Sequence, residues 1–488
     1  MKKEHYDILI IGSGISSSFF LTRILQKKEI IGKKILVLEK GYEESHSERK
    51  ARRFRKHNGV VATKLDPSKT FLQTDDTNKK WTYSPSFGGS SNCWYGNTLR
   101  FLPNDFRTKS IYGYGIDWPL TYEELENYYS IAENIFQVSG PSKTPFPKTS
   151  SYPLPPHKLS GFDKLLQKKF GSLYIATPCA RPSISIEQRP KCCNSGVCHV
   201  CPIDSKFTVT NSLSGAYEDP RVILKTEAKA EYLRIENGIA KSVLITYQEK
   251  EYEISADLFV LGANAIFNPF LLIRSGDNSP ELGKGINEQV SINCSMELDQ
   301  ITGFDGSTVI SGLGYMFYDT PERKKTSACL VENHTAPILG GNRWKNGFNR
   351  ANVKFIFEDL RQSQNRIELD SNGKLPIVVY KGHHPRTQAA LKNTEKYASE
   401  IAKAVSASSF TLAESINSTE SHIQGTVPMG NSTGNSVVDR DLVHHKIRNL
   451  CVLGSSSFPT SPPANPSLTI AALSLRTADR LFDSGSRS

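Results

Sequence analysis

The chain has 488 residues, too many for one simple core; at roughly 100–200 residues per domain it should fold as about two to four, some built from discontinuous segments. Hydrophobic residues make up 38%, with 34 Gly and 26 Pro, which suits a turn-rich globular protein, and no run approaches the ~20 apolar residues of a membrane span. Net charge is +11, but no recognisable nucleic-acid module accompanies it, so nucleic acid is not an expected partner.

The opening, MKKEHYDILIIGSG, enters a strand without the long apolar region and small-residue cleavage site of a signal peptide, so a cytoplasmic location is expected. Residues 6–11 (YDILII) are a continuous apolar run of strand length. It ends at Gly12-Ser13-Gly14, and a helical pattern runs on to about Leu25. Residues 34–38 (KILVL) predict a second buried strand ending at Glu39. Strand, glycine turn, helix and strand open a doubly wound, Rossmann-like α/β domain. Residues 42–80 are polar and weakly periodic, a surface excursion.

Thr121 with Glu124 predicts a capped helix over 120–136, and Ser and Pro make 139–160 a loop. Alternating stretches from 221 to 261 predict a meander and then a core strand returning to the first domain. Residues 387–407 read as an amphipathic helix, and 450–483 as strand, Pro-rich turn and helix.

The glycine turn carries the first chemistry. Gly12 and Gly14 let the backbone turn sharply and approach a pyrophosphate, while the following helix offers N–H donors and partial positive charge. Ser17 replaces the third glycine of the usual fingerprint and is still small enough for close helix–strand packing. Glu39, at a strand end, is placed to accept from a ribose. The basic run Glu48 to His57 is then a solvated face beside a cofactor carrying two phosphates. A second glycine pair, Gly88-Gly89 before Ser90 and Ser91, is either an ordinary turn or a loop lying against a flavin.

Six segments resemble the glucose–methanol–choline (GMC) oxidoreductase family, particularly its pyranose-oxidase-like and FAD-dependent sugar dehydrogenase branches. They are DILIIGSGISS, FGGSSNCWYGNTLRF, DWPLTYEELENYY, LGANAIFNPFLLIRSG, SHIQGTVPMG and the long block from SVVDRD through PPANPSLTIAAL. The resemblance implies a Rossmann-like FAD-binding domain from 1–100, 200–290 and 422–488, and a substrate domain on an antiparallel sheet from 101–199 and 291–421. It places Gly12 and Gly14 at the pyrophosphate, Glu39 at the adenosine ribose and Ala230 at the adenine. Gly88, Gly89, Ser91 and Asn97 face the flavin, and Gly454, Ser455, Asn465, Pro466 and Thr469 close the site. It departs from the family at three positions. Gly454 stands where an aspartate is frequent. Cys93 stands where one branch has a histidine joined to the flavin, so FAD is expected to be non-covalent. Gln289 stands where a histidine is common.

Oxidising an alcohol carbon requires a base for the hydroxyl proton, and a neutral imidazole suits that task. The resemblance makes His422 that base, with Asn465 as a hydrogen-bond donor to the oxygen. His444 and His445 are assigned to the surface. The expected substrate is the CH–OH group of a sugar, glycoside or cyclitol; a bulky non-sugar alcohol, an NAD-linked dehydrogenase and a non-catalytic flavoprotein are the alternatives. Nine cysteines without a secretion signal argue against a disulfide framework. Cys192, Cys193, Cys198 and Cys201 have thiolate-ligand spacing and resemble the iron–sulfur segment of GMC-type sugar dehydrogenases. An iron–sulfur cluster, zinc, or reduced thiols packing a loop all remain open. A cluster would imply a protein or quinone electron acceptor as partner.

Overall fold

The computed structural model describes residues 4–56, 65–74, 78–299, 301–335 and 349–483; His57, at the end of the basic run, lies outside them. β1 (Glu4–Ile11) is buried along its second half, turns at Gly12, and continues as α1 (Ile15–Ile24) and β2 (Ile35–Leu38), whose four residues are all buried. A continuous apolar run suits a strand covered on both faces. The polar stretch after it contains α2 (His46–Lys56) and β3 (Leu72–Gln73).

α3 (Thr108–Tyr112), α4 (Tyr122–Phe136) and α5 (Gly161–Phe170) lead to β4 (Tyr174–Ala176). Thr121 caps α4 as expected: its hydroxyl accepts from Glu124 N, and the Glu124 carboxylate accepts from Thr121 N. After α6 (Val209–Ser212) come β5 (Val222–Lys225), β6 (Ala228–Glu236), β7 (Ile239–Tyr247) and β8 (Lys250–Leu261), then α7 (Asn264–Arg274).

Strands β9 (Val290–Glu297), β10 (Ile310–Gly314), β11 (Cys329–His334), β12 (Arg350–Phe357), β13 (Arg366–Leu369) and β14 (Pro376–Val379) follow. The helix expected over 387–407 is two helices, α8 (Pro385–Leu391) and α9 (Thr394–Val405). Thr394 Oγ1 donates to Leu391 O at 2.6 Å and takes a carbonyl that an unbroken helix would use. β15 (Ser409–Leu412), β16 (Leu450–Val452) and α10 (Ser467–Phe482) complete the chain.

The strands form three sheets. In the seven-stranded one the order is β5-β2-β1-β8-β7-β6, with β16 also on β8. β8 has two roles. Its first residues close the antiparallel meander with β7, and its last, Ile254 to Leu261, run parallel to β1. The meander and its return were thus correctly read from alternation. The six-stranded sheet, β15-β9-β12-β11-β10-β4, is antiparallel throughout, and β13-β14-β3 make the third. This mixed α/β architecture matches the expected fold class. One core surrounds the first sheet; a second packs α5 and α9 on the six-stranded sheet, with Phe317 stacked on Tyr397 at 4.1 Å. Among the described residues no helix is long and apolar enough to cross a membrane.

Two surface expectations are corrected. α2 is not simply a solvated face: Arg49 is buried and donates to Glu44 O at 2.7 Å and Thr210 Oγ1 at 3.1 Å, while Arg52 pairs with Glu44 at 2.7 Å. His444 is fully buried, its Nε2 2.8 Å from Asp277 and its Nδ1 accepting from the backbone of Lys446 and Ile447. A short loop that could not be told from surface by composition is closed over by a residue far away in sequence.

Candidate active site

The carboxyl ends of β1, β2, β8 and β16 converge on one long cavity, where doubly wound sheets bind ligands. Gly12 has φ +97°, and a Cβ on it would come within 2.6 Å of Gly262 O; only glycine makes this turn. At Gly14 a Cβ would meet nothing within 4 Å, so the turn opens onto space. α1 has no side-chain cap and no acidic residue in its first turn, leaving its N–H donors to the cavity. Ser17 lies behind the turn rather than in the cavity; a Cβ on Gly262 would be 2.1 Å from its Oγ, the close helix–strand contact expected of a third glycine.

The loop Gly88 to Ser91 lies on this turn. Gly88 N donates to Ser13 Oγ at 3.1 Å, and a Cβ on Gly89 would sit 3.0 Å from Gly14 Cα. Ser91 donates to Gly88 O and accepts from Val209 N, holding the loop's shape. Glu39 accepts from Ser13 N, Ser13 Oγ and Gly41 N, and burial pushes its carboxyl up. Its Oε1 takes a single donor, which leaves acceptor capacity for a hydroxyl. Ala230 lines the same end, with Lys40, whose ammonium lies over Phe267 at 5.0 Å and is pushed down to about 8 by burial.

His422, Gly454, Ser455 and Pro466 line the cavity as well, and a Cβ on Gly454 would lie 3.7 Å from Ser16 Oγ in the first turn of α1. His422 Nε2 is 3.4 Å from Asn465 Nδ2, and Asn465 Oδ1 is buried with no partner. Burial pushes the His422 imidazole below its usual 6.5, so it is neutral at ambient pH. Its backbone is held too: Glu288 accepts from His422 N at 2.9 Å and Glu420 N at 3.2 Å, with Ser421 between them at φ +60°. A left-handed non-glycine residue beside a candidate base is the local strain such sites store. The Glu288 carboxylate is buried against Lys79.

Two expected residues point elsewhere. Asn97 donates to Glu332 and accepts from Arg181, joining the segment after the glycine loop to the six-stranded sheet. Thr469 meets the Tyr129 hydroxyl at 2.9 Å within the core. Cys93 does not line the cavity, and its sulfur lies 3.6 Å from Ser90 O.

The four clustered cysteines are not gathered. Cys192 faces Thr308 Oγ1, Cys193 is exposed, Cys198 is buried with Val309 and Ile310, and Cys201 accepts from Ser205 N. Burial pushes the Cys198 thiol up to about 11, so without a bound metal it is protonated. Among the described residues no group of three or more His, Cys, Asp or Glu is placed to hold a metal ion, so the iron–sulfur expectation finds no support.

A second cavity lies against the six-stranded sheet, lined by Asn293, His334, Asn352, Lys354, Asn417 and Thr419 among others. Lys354 pairs with Glu420 at 3.1 Å, two residues before His422. Nothing in the sequence marked these residues, because they come from separate strands. Replacing Glu39 with alanine should weaken FAD binding by about 1–3 kcal/mol, since a ribose hydroxyl loses the acceptor that Oε1 offers beside Gly41 N. Titration of the apoprotein with FAD checks this, and unchanged affinity would contradict it.

Known proteins resemble this chain at the level of family and fold. Residues 332–474 match the GMC oxidoreductase family model. The chain is 27% identical to the fructose dehydrogenase large subunit of Gluconobacter japonicus, over 81% of this chain and 80% of that one. It is 23% identical to 6'''-hydroxyparomomycin C oxidase of Streptomyces lividus, over 97% and 90%. Pyridoxine 4-oxidase from Mesorbium loti shares the fold with a TM-score of 0.69 at 16% identity, over 97% of this chain and 99% of that one.

Proposed function

We propose that this GMC oxidoreductase holds FAD non-covalently along the cavity and oxidises a CH–OH group of a sugar, glycoside or cyclitol, with His422 taking the hydroxyl proton. The observation that carries the reading is the His422–Asn465 pair, whose imidazole lines the same cavity as the Gly12–Gly14 turn. The cavity fits the cofactor: Gly14 and uncapped α1 suit a pyrophosphate, Glu39 a ribose, and Ala230 an adenine. We assign 1–100, 200–290 and 422–488 to the FAD lobe, and 101–199 and 291–421 to the substrate lobe.

FAD, when bound, supplies the hydride acceptor. The chain's own groups do the rest. Neutral His422 accepts the hydroxyl proton at Nε2, and Asn465 Nδ2 donates to the oxygen as negative charge builds there. Asn293, Asn352, Lys354 and Asn417 give the adjoining cavity many hydrogen-bonding groups, which suits a polyhydroxylated substrate. The names of the two relatives, a fructose dehydrogenase subunit and a hydroxyparomomycin C oxidase, support the same substrate class. Anaerobic mixing of the yellow protein with a panel of sugars, glycosides and cyclitols should bleach the flavin with at least one of them. Bleaching only by simple non-sugar alcohols would contradict the substrate class, and none by any alcohol would contradict the reaction.

A further inference from the structure

We infer that Gln289 is a positioning residue that fixes which nitrogen of His422 carries the hydrogen, leaving Nε2 free as the base, and that ties this imidazole to Asn465. The inference rests on His422 being the base and adds what orients it.

The geometry leaves one assignment. Gln289 is buried immediately before β9, and its Nε2 lies 2.8 Å from Pro462 O and 3.0 Å from Ala464 O. Backbone carbonyls only accept, so the NH2 of this amide must face them and both its hydrogens are used. The amide oxygen Oε1 then faces His422 Nδ1 at 3.1 Å, and an amide oxygen only accepts. Nδ1 therefore carries the hydrogen, and the neutral ring keeps its lone pair on Nε2, beside Asn465 Nδ2 at 3.4 Å. Gln424 Nε2 donates to the same Oε1 at 3.1 Å, which fixes the acceptor further.

The carbonyls that hold Gln289 belong to the segment directly before Asn465. One amide thus bridges the two halves of the site: it donates to the Asn465 segment and accepts from His422. The backbone is bound as well, since Asn287 and Gln424 exchange hydrogen bonds at 3.1 Å and 2.9 Å. A neutral amide does this without adding charge to an imidazole already surrounded by Glu288, Glu332, Glu420 and Lys354. A histidine at 289 could not donate to two carbonyls and accept from Nδ1 together, because a neutral imidazole has one donor and one acceptor.

The test has two parts. In the FAD-loaded protein labelled with 15N-histidine, His422, assigned by its absence in His422→Ala, should show a protonated Nδ1 and an unprotonated Nε2 at neutral pH. The opposite tautomer would overturn the inference whatever the activity. In Gln289→Met, which keeps length but removes donor and acceptor, anaerobic flavin reduction should slow by about ten- to a hundredfold, with FAD still bound and the acid limb of the rate profile moved to lower pH. Wild-type rates and an unmoved limb in Gln289→Met would make Gln289 a packing residue only. Should Gln289→Met fail to fold, the tautomer in the unmodified protein still decides. Normal reduction in His422→Ala would instead remove the base itself, and the two failures are told apart.

Discussion

Replacing His422 with alanine should slow anaerobic flavin reduction by about 10²–10⁴-fold, the usual worth of a positioned acid–base group, while FAD stays bound. The groups proposed to hold the cofactor (Gly12, Gly14, α1 and Glu39) make no hydrogen bond to this ring. The pH dependence follows from the sign of the shift. Burial holds the His422 imidazole below 6.5, so in the unmodified protein the neutral, competent form persists below that pH. The rate should therefore be flat through neutrality and fall only as pH drops through the depressed value. The alanine variant should be slow across the range and lack that acid limb. Stopped-flow absorbance of the flavin band reads both, and a variant that bleaches at the normal rate would remove His422 from the chemistry.

The second large effect lies behind the site. Lys79→Met should destabilise the fold by about 3–5 kcal/mol, the cost of stripping the partner from a buried ion pair. Lys79 and Glu288 are both buried, and no other lysine or arginine forms an ion pair with that carboxylate among the described residues. The loss should reach the chemistry too. The same carboxylate accepts from Glu420 N and His422 N and holds Ser421 in its left-handed conformation between them. The expected signature is a lower denaturation midpoint together with slower flavin reduction. Glu288→Gln in the same background should recover part of the stability, because a neutral amide needs no cation. A Lys79→Met protein within about 1 kcal/mol of the original would show that the pair does not hold the segment.

The parts of this fold that were legible in the sequence are those set by local rules. An apolar run ending in Gly12 could only be a strand entering a tight turn, and Thr121 with Glu124 could only open a helix. Alternation from 221 to 261 showed the meander, since a strand with one wet face announces itself with period two. What was not legible depends on partners far along the chain. His444 resembled surface because its acid, Asp277, is 167 residues away. Gln289 looked like a mere departure from the family because its carbonyl partners lie 173 and 175 residues on. The clustered cysteines are a mixed case. Their spacing is local, but the directions of their side chains are set by packing against Thr308, Val309 and Ile310. Of the site, the glycine turn and Glu39 were visible as pattern, and His422 with Asn465 through resemblance; the polar cavity behind Lys354 was not visible at all.

The proposed chemistry requires a flavin reaching from the Gly12–Gly14 turn to His422. Titrating the purified apoprotein with FAD, following flavin fluorescence, tests this most directly. Saturable binding of one FAD per chain, abolished by Gly14→Trp, whose side chain would fill the open face of the turn, is the predicted result. A folded protein that leaves flavin fluorescence unchanged, or that binds FAD equally well with the turn blocked, would contradict it.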